Sequence, residues 1–193
     1  MVKLTGYKKV KTAVFISGVG SNLNSLIKFS KTKKSPISIN MIISNNPKAK
    51  GLKFGKINNI KIKVFDFNKK NKVENQMLNV LKDHEIKMIF LAGFMKILSK
   101  NFISKFKGKI LNIHPSLLPK YKGLNTHQRA LNNKEKNSGC TVHFVNSKID
   151  SGKIILQKKV KISKNETKDT LAKKILFQEH RLYPKAILKV FNL

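Results

Sequence analysis

Apolar and polar positions along the chain alternate between two rhythms. Ala13–Ile16 is a continuous apolar run, the pattern of a strand buried on both faces. The turn Ser17-Gly18-Val19-Gly20-Ser21-Asn22 follows, and then Leu23, Leu26 and Ile27 fall at helical spacing. Ile37–Ile43 predicts a second strand and 49–57 a short helix. Ile60, Ile62 and Val64 alternate along a third strand over Ile60–Phe65. Val73, Met77, Val80, Leu81 and His84 share one helical face, with His84 placed to meet the dipole at the helix end. Met88–Ala92 reads as a fourth strand. It runs into Gly93 and the apolar stretch Phe94–Leu98. Ile110, Leu111 and Ile113 form a fifth strand that Pro115 stops, because proline has no N–H to give a ladder. Beyond it, Thr126–Leu131 predicts a helix, and Thr141–Val145 and Lys153–Val160 predict two strands close enough in the chain to be antiparallel neighbours. Leu171, Ile175, Leu182, Ala186 and Val190 line a last helical face, which Pro184 should kink or divide.

Strand and helix alternate up to residue 114, which predicts an α/β fold: a mostly parallel sheet with helices on both faces and an antiparallel extension in the C-terminal part. In such sheets ligands sit outside the carboxyl ends of the strands. The Gly18–Asn22 turn, the Gly93–Leu98 loop and the end of the fifth strand are therefore expected at one crevice. At 193 residues the chain suits a single domain. Its halves are expected over about 10–110 and about 111–193.

Composition adds one oddity. The formal net charge is +32. That raises the reading of a nucleic-acid or anionic-surface binder. Against it, the charge is almost all lysine, spread from Lys3 to Lys189. Only Arg129 and Arg181 are arginine, the side chain suited to bidentate phosphate and base contacts. No apolar run approaches the ~18 residues that a membrane span needs. Cys140 is the single cysteine, which fits a reducing cytoplasm and forbids an internal disulfide.

Three places carry candidate chemistry. In the first, Gly18 and Gly20 let a strand turn tightly into a helix, and such a turn brings backbone N–H groups towards an anion. Ser21 or Asn22 is the expected helix cap. Neither a dinucleotide fingerprint nor a Walker loop is present, and a βα turn without ligand has the same look. In the second, Asn112 and His114 lie two apart on a strand and so share a face, with Ile113 opposite. An amide can donate to a developing oxyanion and an imidazole can move protons near neutral pH. An ordinary strand end with a hydrogen-bonded histidine would read alike. In the third, Glu179 sits on the apolar stripe of the last helix, where a carboxylate needs a partner or a ligand. Asp150, before Ser151 and Gly152, fits a surface turn.

Seven segments, in order, complete the picture: SGVGSNL (17–23), SNNP (44–47), LAGFMKIL (91–98), LNIHPSLLPKYKGLNTH (111–127), GCTVHFV (139–145), DSGKIILQ (150–157) and QEHRLYP (178–184). Together they resemble the phosphoribosylglycinamide formyltransferase family over nearly the whole chain. The resemblance implies a Rossmann-like fold and transfer of formyl from 10-formyltetrahydrofolate to the amine of glycinamide ribonucleotide in purine synthesis. It implies Asn112, His114 and Asp150 as the catalytic trio. Gly18, Gly20, Ser21, Asn22, Gly93, Ile113, Pro115 and Glu179 are implied as ribonucleotide contacts. Lys70, Phe94, Met95, Lys96, Ile97, Leu98 and Val145, with Asn112 and Asp150, are implied as folate contacts. Val19 and Lys96 depart from the family's common Asn and Arg, and Lys70 stands in a stretch where the family often has Arg. No metal is implied. The implied protein is cytoplasmic, a monomer or weak homodimer, without specific nucleic-acid or membrane partners. A methionyl-tRNA formyltransferase shares the formyl-transfer core but adds a C-terminal RNA-binding domain. A non-catalytic basic nucleic-acid binder would leave Asn112, His114, Asp150 and Glu179 without a role.

Overall fold

The computed structural model describes residues 9–193, apart from the side chains of residues 69–71. The described residues fall into two compact units, the first ending at Ile110 and the second running Leu111–Leu193.

The first unit is built from β1 (Val10–Ile16), α1 (Ser21–Ser30), β2 (Ile37–Ser44), α2 (Leu52–Ile57), β3 (Lys61–Val64), a short 3₁₀ turn (Phe67–Lys69), α3 (Lys70–Asp83), β4 (Met88–Leu91) and α4 (Lys100–Lys105). β1 pairs in parallel with both β2 and β4, and β2 pairs in parallel with β3. The apolar runs lie where such pairing needs them: Ala13–Ile16 and Ile42–Ile43 are wholly buried, as are Ile89 and Phe90. Phe15 meets Phe94 and Phe102 edge-on at 5.4 and 6.5 Å between ring centres. β5 (Lys109–His114) starts at the end of this unit and continues into the next.

In the second unit β5 pairs antiparallel with β6 (Asn137–Phe144), and β6 antiparallel with β7 (Ile154–Lys161). α5 (Thr126–Asn132) lies between β5 and β6 in the chain, and α6 (Lys168–Val190) follows β7. α6 packs on β6 and β7. Its stripe Leu171, Ile175, Tyr183, Ala186 and Ile187 is fully buried, and the Tyr183 hydroxyl donates to the Leu111 carbonyl at 3.0 Å. The α/β class, parallel strands first and antiparallel strands afterwards, is the one the apolar pattern predicts.

Three local differences have physical causes. α4 was not foreseen, because six residues with one buried apolar side chain, Phe102, carry no period. β6 begins at Asn137 rather than Thr141. The stretch Asn137-Ser138-Gly139 has little strand propensity, but it pairs along Val160 and Lys161 of β7, and a side chain at Gly139 would strike the Lys158 carbonyl. Pro184 does not begin a new segment. α6 runs through it for 23 residues, with burial on both sides of the proline outweighing the one lost backbone bond. His84 ends the α3 turn as expected, its Nδ1–H donating to the Val80 carbonyl at 2.9 Å.

Candidate active site

Strand alternation places Asn112 and His114 on one face at the end of β5, and the antiparallel register sets His143 of β6 opposite Asn112 and Thr141 opposite His114. Asp150, from the β6–β7 connection, reaches the same place from a left-handed backbone (φ 44°) that aspartate tolerates better than most residues. Its carboxylate gathers the cluster. Oδ2 lies 3.3 Å from His114 Nδ1 and accepts the Gly123 N–H at 2.8 Å. Oδ1 accepts from Asn112 Nδ2 at 3.4 Å and lies 3.6 Å from His143 Nε2. The structure thus brings Asn112, His114 and Asp150 together. The surface-turn alternative for Asp150 is set aside by a side chain only 12% exposed.

The surroundings tune the charges. Burial holds the His114 imidazole below its ordinary range, although the Tyr121 carbonyl, which accepts from Nε2–H at 2.8 Å, and the Asp150 carboxylate both favour the proton. Burial opposes charge on Asp150. The contact with His143, the Gly123 N–H and the two imidazoles outweigh it and hold the carboxyl below its usual range. Asp150 is therefore ionised, and His114 can donate to the Tyr121 carbonyl through Nε2 and to Asp150 through Nδ1 at the same time only as the imidazolium; the neutral ring makes one of the two hydrogen bonds.

His143 is the site residue that the sequence reading missed. Its Nδ1–H donates to the Phe144 carbonyl at 2.8 Å, so in the neutral ring Nε2 is the acceptor and takes an N–H of Asn112 Nδ2 at 3.2 Å, and only the protonated ring lends Asp150 the favourable contact at 3.6 Å. The bond from Asn112 decides which way the Asn112 amide points. The signal was available: His143 and Thr141 alternate on β6 as Asn112 and His114 do on β5, but only knowledge of the register joins them. Cys140, one step further along β6, is buried, and burial pushes its thiol up to about 12, which removes it as a nucleophile.

The remaining second-unit positions are placed as follows. Ile113 faces away from the pair and is 6% exposed, and Pro115 ends β5. Val145 follows β6 directly and is half-buried. Glu179 is buried on α6, and its carboxylate adds to the burial that chiefly raises the pKa values of Cys140 and Tyr183.

In the first unit the glycine turn and the Gly93 loop stand side by side, because β1 and β4 are neighbours. The Ser17 N–H donates to the Gly93 carbonyl at 3.0 Å, and the Met95 N–H donates to Ser17 Oγ at 2.7 Å. Gly20, not Ser21 or Asn22, is the α1 cap. It adopts φ 75°, and its Cβ position lies 2.7 Å from Gly51 Cα, so both conformation and space demand glycine. Gly18 has nothing within 4 Å of its Cβ position. Phe94 is held between Phe15 and Phe67, Leu98 is buried, and Met95 and Ile97 are 64% and 60% exposed beside an exposed Lys96. Lys70 opens α3, and its side chain lies outside the described residues. Among the described residues no group of three or more His, Cys, Asp or Glu is placed to hold a metal ion.

An α/β chain with an amide, an imidazole and a carboxylate in contact at a strand end has the equipment of an acyl-type group transferase. Comparison with known proteins makes the class specific. The formyl transferase family model matches residues 10–187, and the chain belongs to that family. It is 42% identical over 180 residues to phosphoribosylglycinamide formyltransferase of Haemophilus influenzae, covering 92% of this chain and 85% of that protein. It is also 42% identical over 183 residues to the human trifunctional purine biosynthetic protein adenosine-3, but spans only 18% of that protein's length. The crystal structure of phosphoribosylglycinamide formyltransferase from Brucella melitensis superposes with a TM-score of 0.89 at 42% identity, covering 95% of this chain and 96% of that one.

Proposed function

We propose that this chain transfers a formyl group from 10-formyltetrahydrofolate to the amine of glycinamide ribonucleotide, a cytoplasmic step of purine synthesis. The observation that carries this reading is the Asn112–His114–Asp150 contact set in a member of the formyl transferase family. The substrate amine attacks the formyl carbon, and charge develops on the formyl oxygen. The Asn112 amide, aimed by His143, turns on that oxygen the second N–H, which it otherwise gives to Asp150 Oδ1 at 3.4 Å. The His114 Nε2–H joins it once the Tyr121 carbonyl releases it. Asp150 orients His114 through Nδ1, favours the imidazolium as charge develops, and with water helps carry the amine's proton to the leaving folate nitrogen. The glycine turn Gly18–Asn22 with Gly93, Ile113, Pro115 and Glu179 holds the ribonucleotide. Phe94–Leu98, Lys70 and Val145–Asp150 hold the folate. Residues 10–110 and 111–193 are on this reading the two halves of one formyltransferase domain, working as a monomer or weak homodimer. Among the described residues no helix is long and apolar enough to cross a membrane.

A double-variant cycle tests the trio. Single-turnover formyl transfer should fall ~100- to 1,000-fold for Asn112→Ala, as for loss of an oxyanion donor, and ~100- to 10,000-fold for His114→Ala, as for loss of a positioned acid or base. Ribonucleotide affinity should hold throughout. The His114→Ala, Asp150→Asn double variant should lose clearly less than the product of the single losses, because Asp150 acts partly through His114. Near-normal turnover by His114→Ala would remove the assignment.

A further inference from the structure

One buried charge has no part in the chemistry described above. Glu74 lies in α3 with 1% of its surface exposed, and among the described residues no cation stands within ion-pair distance of it. A carboxylate is kept in such a place only if its lone pairs are satisfied. Here one residue satisfies both oxygens: Ser99 donates its backbone N–H to Oε1 at 2.8 Å and its hydroxyl to Oε2 in a short hydrogen bond. The Ser99 hydroxyl has a single proton. By giving it to Glu74 it keeps its lone pairs for the Phe102 N–H, which it caps at 3.0 Å as α4 begins. A carboxylate offers each Ser99 donor an oxygen of its own, whereas a carboxamide in the same place would set an NH2 against one of them.

Ser99 ends the stretch that starts at Gly93. At its other end the stretch is fastened by the paired Ser17–Gly93 and Met95–Ser17 bonds, and Ser17 Oγ in turn donates to Asn45 Oδ1. Between the two fastenings lie exposed Met95, Lys96 and Ile97, with no strand or helix to hold them. An apolar wall in irregular backbone presents one shape to a ligand only if its ends are fixed. Otherwise binding must supply the ordering entropy.

We propose that Glu74 is a positioning residue for the co-substrate wall: through Ser99 it fixes the far end of Met95–Leu98 and pre-forms the surface that receives the folate. The inference rests on the reading of Phe94–Leu98 as folate contacts, and its test separates the two. Tetrahydrofolate and glycinamide ribonucleotide affinities are measured by calorimetry, well below the melting temperature, for Glu74→Gln, Ser99→Ala and Ser99→Thr, with Met95→Ala and Ile97→Ala as direct wall variants. Glu74→Gln and Ser99→Ala should weaken tetrahydrofolate roughly tenfold, the scale of ordering one or two side chains on binding. Ribonucleotide affinity should stay within about twofold, and Ser99→Thr, which keeps the hydroxyl, should bind near normally. Hydrogen exchange at the Met95–Ser99 amides should quicken in the two weakened variants. If Met95→Ala and Ile97→Ala weaken tetrahydrofolate while Glu74→Gln and Ser99→Ala do not, the wall stands and the clamp is wrong. If none of the four changes tetrahydrofolate binding, the wall reading fails and the clamp with it.

Discussion

At the proposed site single side chains would carry the chemistry, and their protonation is set by what surrounds them. Burial holds the His114 imidazole low, and burial, then Lys168 and His114, does the same for His127. Both folded-state values lie below the ~6.5 of an unfolded histidine, so the unfolded chain takes up protons first as pH falls. Stability is therefore full above about pH 6.5 and declines as pH falls towards the folded-state values. Melting followed from pH 7.5 to 5 should show this decline, and His127→Gln should flatten part of it. The Asp150 carboxylate is among the influences that raise His114, so Asp150→Asn should move the His114 NMR titration to still lower pH. His143→Ala should leave the fold intact but release the Asn112 amide, lowering turnover by up to ~100-fold, the scale of one oxyanion donor. Retention of full turnover in that variant would show that His143 does not aim the amide. The strand period alone made the Asn112–His114 pair legible. His143 was not, because an antiparallel register is a fact about two strands and a single strand's pattern does not contain it.

At the scale of elements, the glycine turn lets a folding role and the proposed binding role be tested apart. A methyl at Gly18 meets nothing, whereas one at Gly20 meets the Gly51 backbone in a conformation disfavoured for any other residue. Gly20→Ala should therefore destabilise the protein by ~1 kcal/mol or more. Gly18→Ala should leave stability within about 1 kcal/mol of wild type and weaken ribonucleotide binding alone. Calorimetry with the ribonucleotide, beside denaturant unfolding, reads both effects. Unchanged ribonucleotide affinity in Gly18→Ala would take Gly18 out of the site. α6 gives a second check. Thr167 caps it, exchanging hydrogen bonds with Thr170, so Thr167→Ala should cost about 1 kcal/mol in the same unfolding experiment. Long apolar runs such as Ala13–Ile16 and the α6 stripe were readable because burial imposes a period on the sequence. α4 and the start of β6 were not, since a short helix and a strand of small polar residues take their shape from partners distant in sequence: Glu74 with Ser99, and β7 with Gly139.

For the whole molecule the charge of +32 is the property that no single residue explains. Both proposed substrates are anionic, so the field should speed their encounter with the protein, and kcat/KM should fall as salt shortens the Debye length from about 10 Å at 0.1 M towards about 3 Å at 1 M. Nucleic acid should bind weakly, without sequence preference, and salt should remove it. A sequence-selective, salt-resistant complex would return the lysines to a nucleic-acid role. The most direct measurement offers the purified chain 10-formyltetrahydrofolate with either glycinamide ribonucleotide or charged initiator tRNA and follows the formyl group. Rapid formylation of the ribonucleotide amine, abolished in His114→Ala and absent with the tRNA, is the predicted result; formylation of the tRNA, or transfer to the ribonucleotide that survives loss of His114, would contradict it.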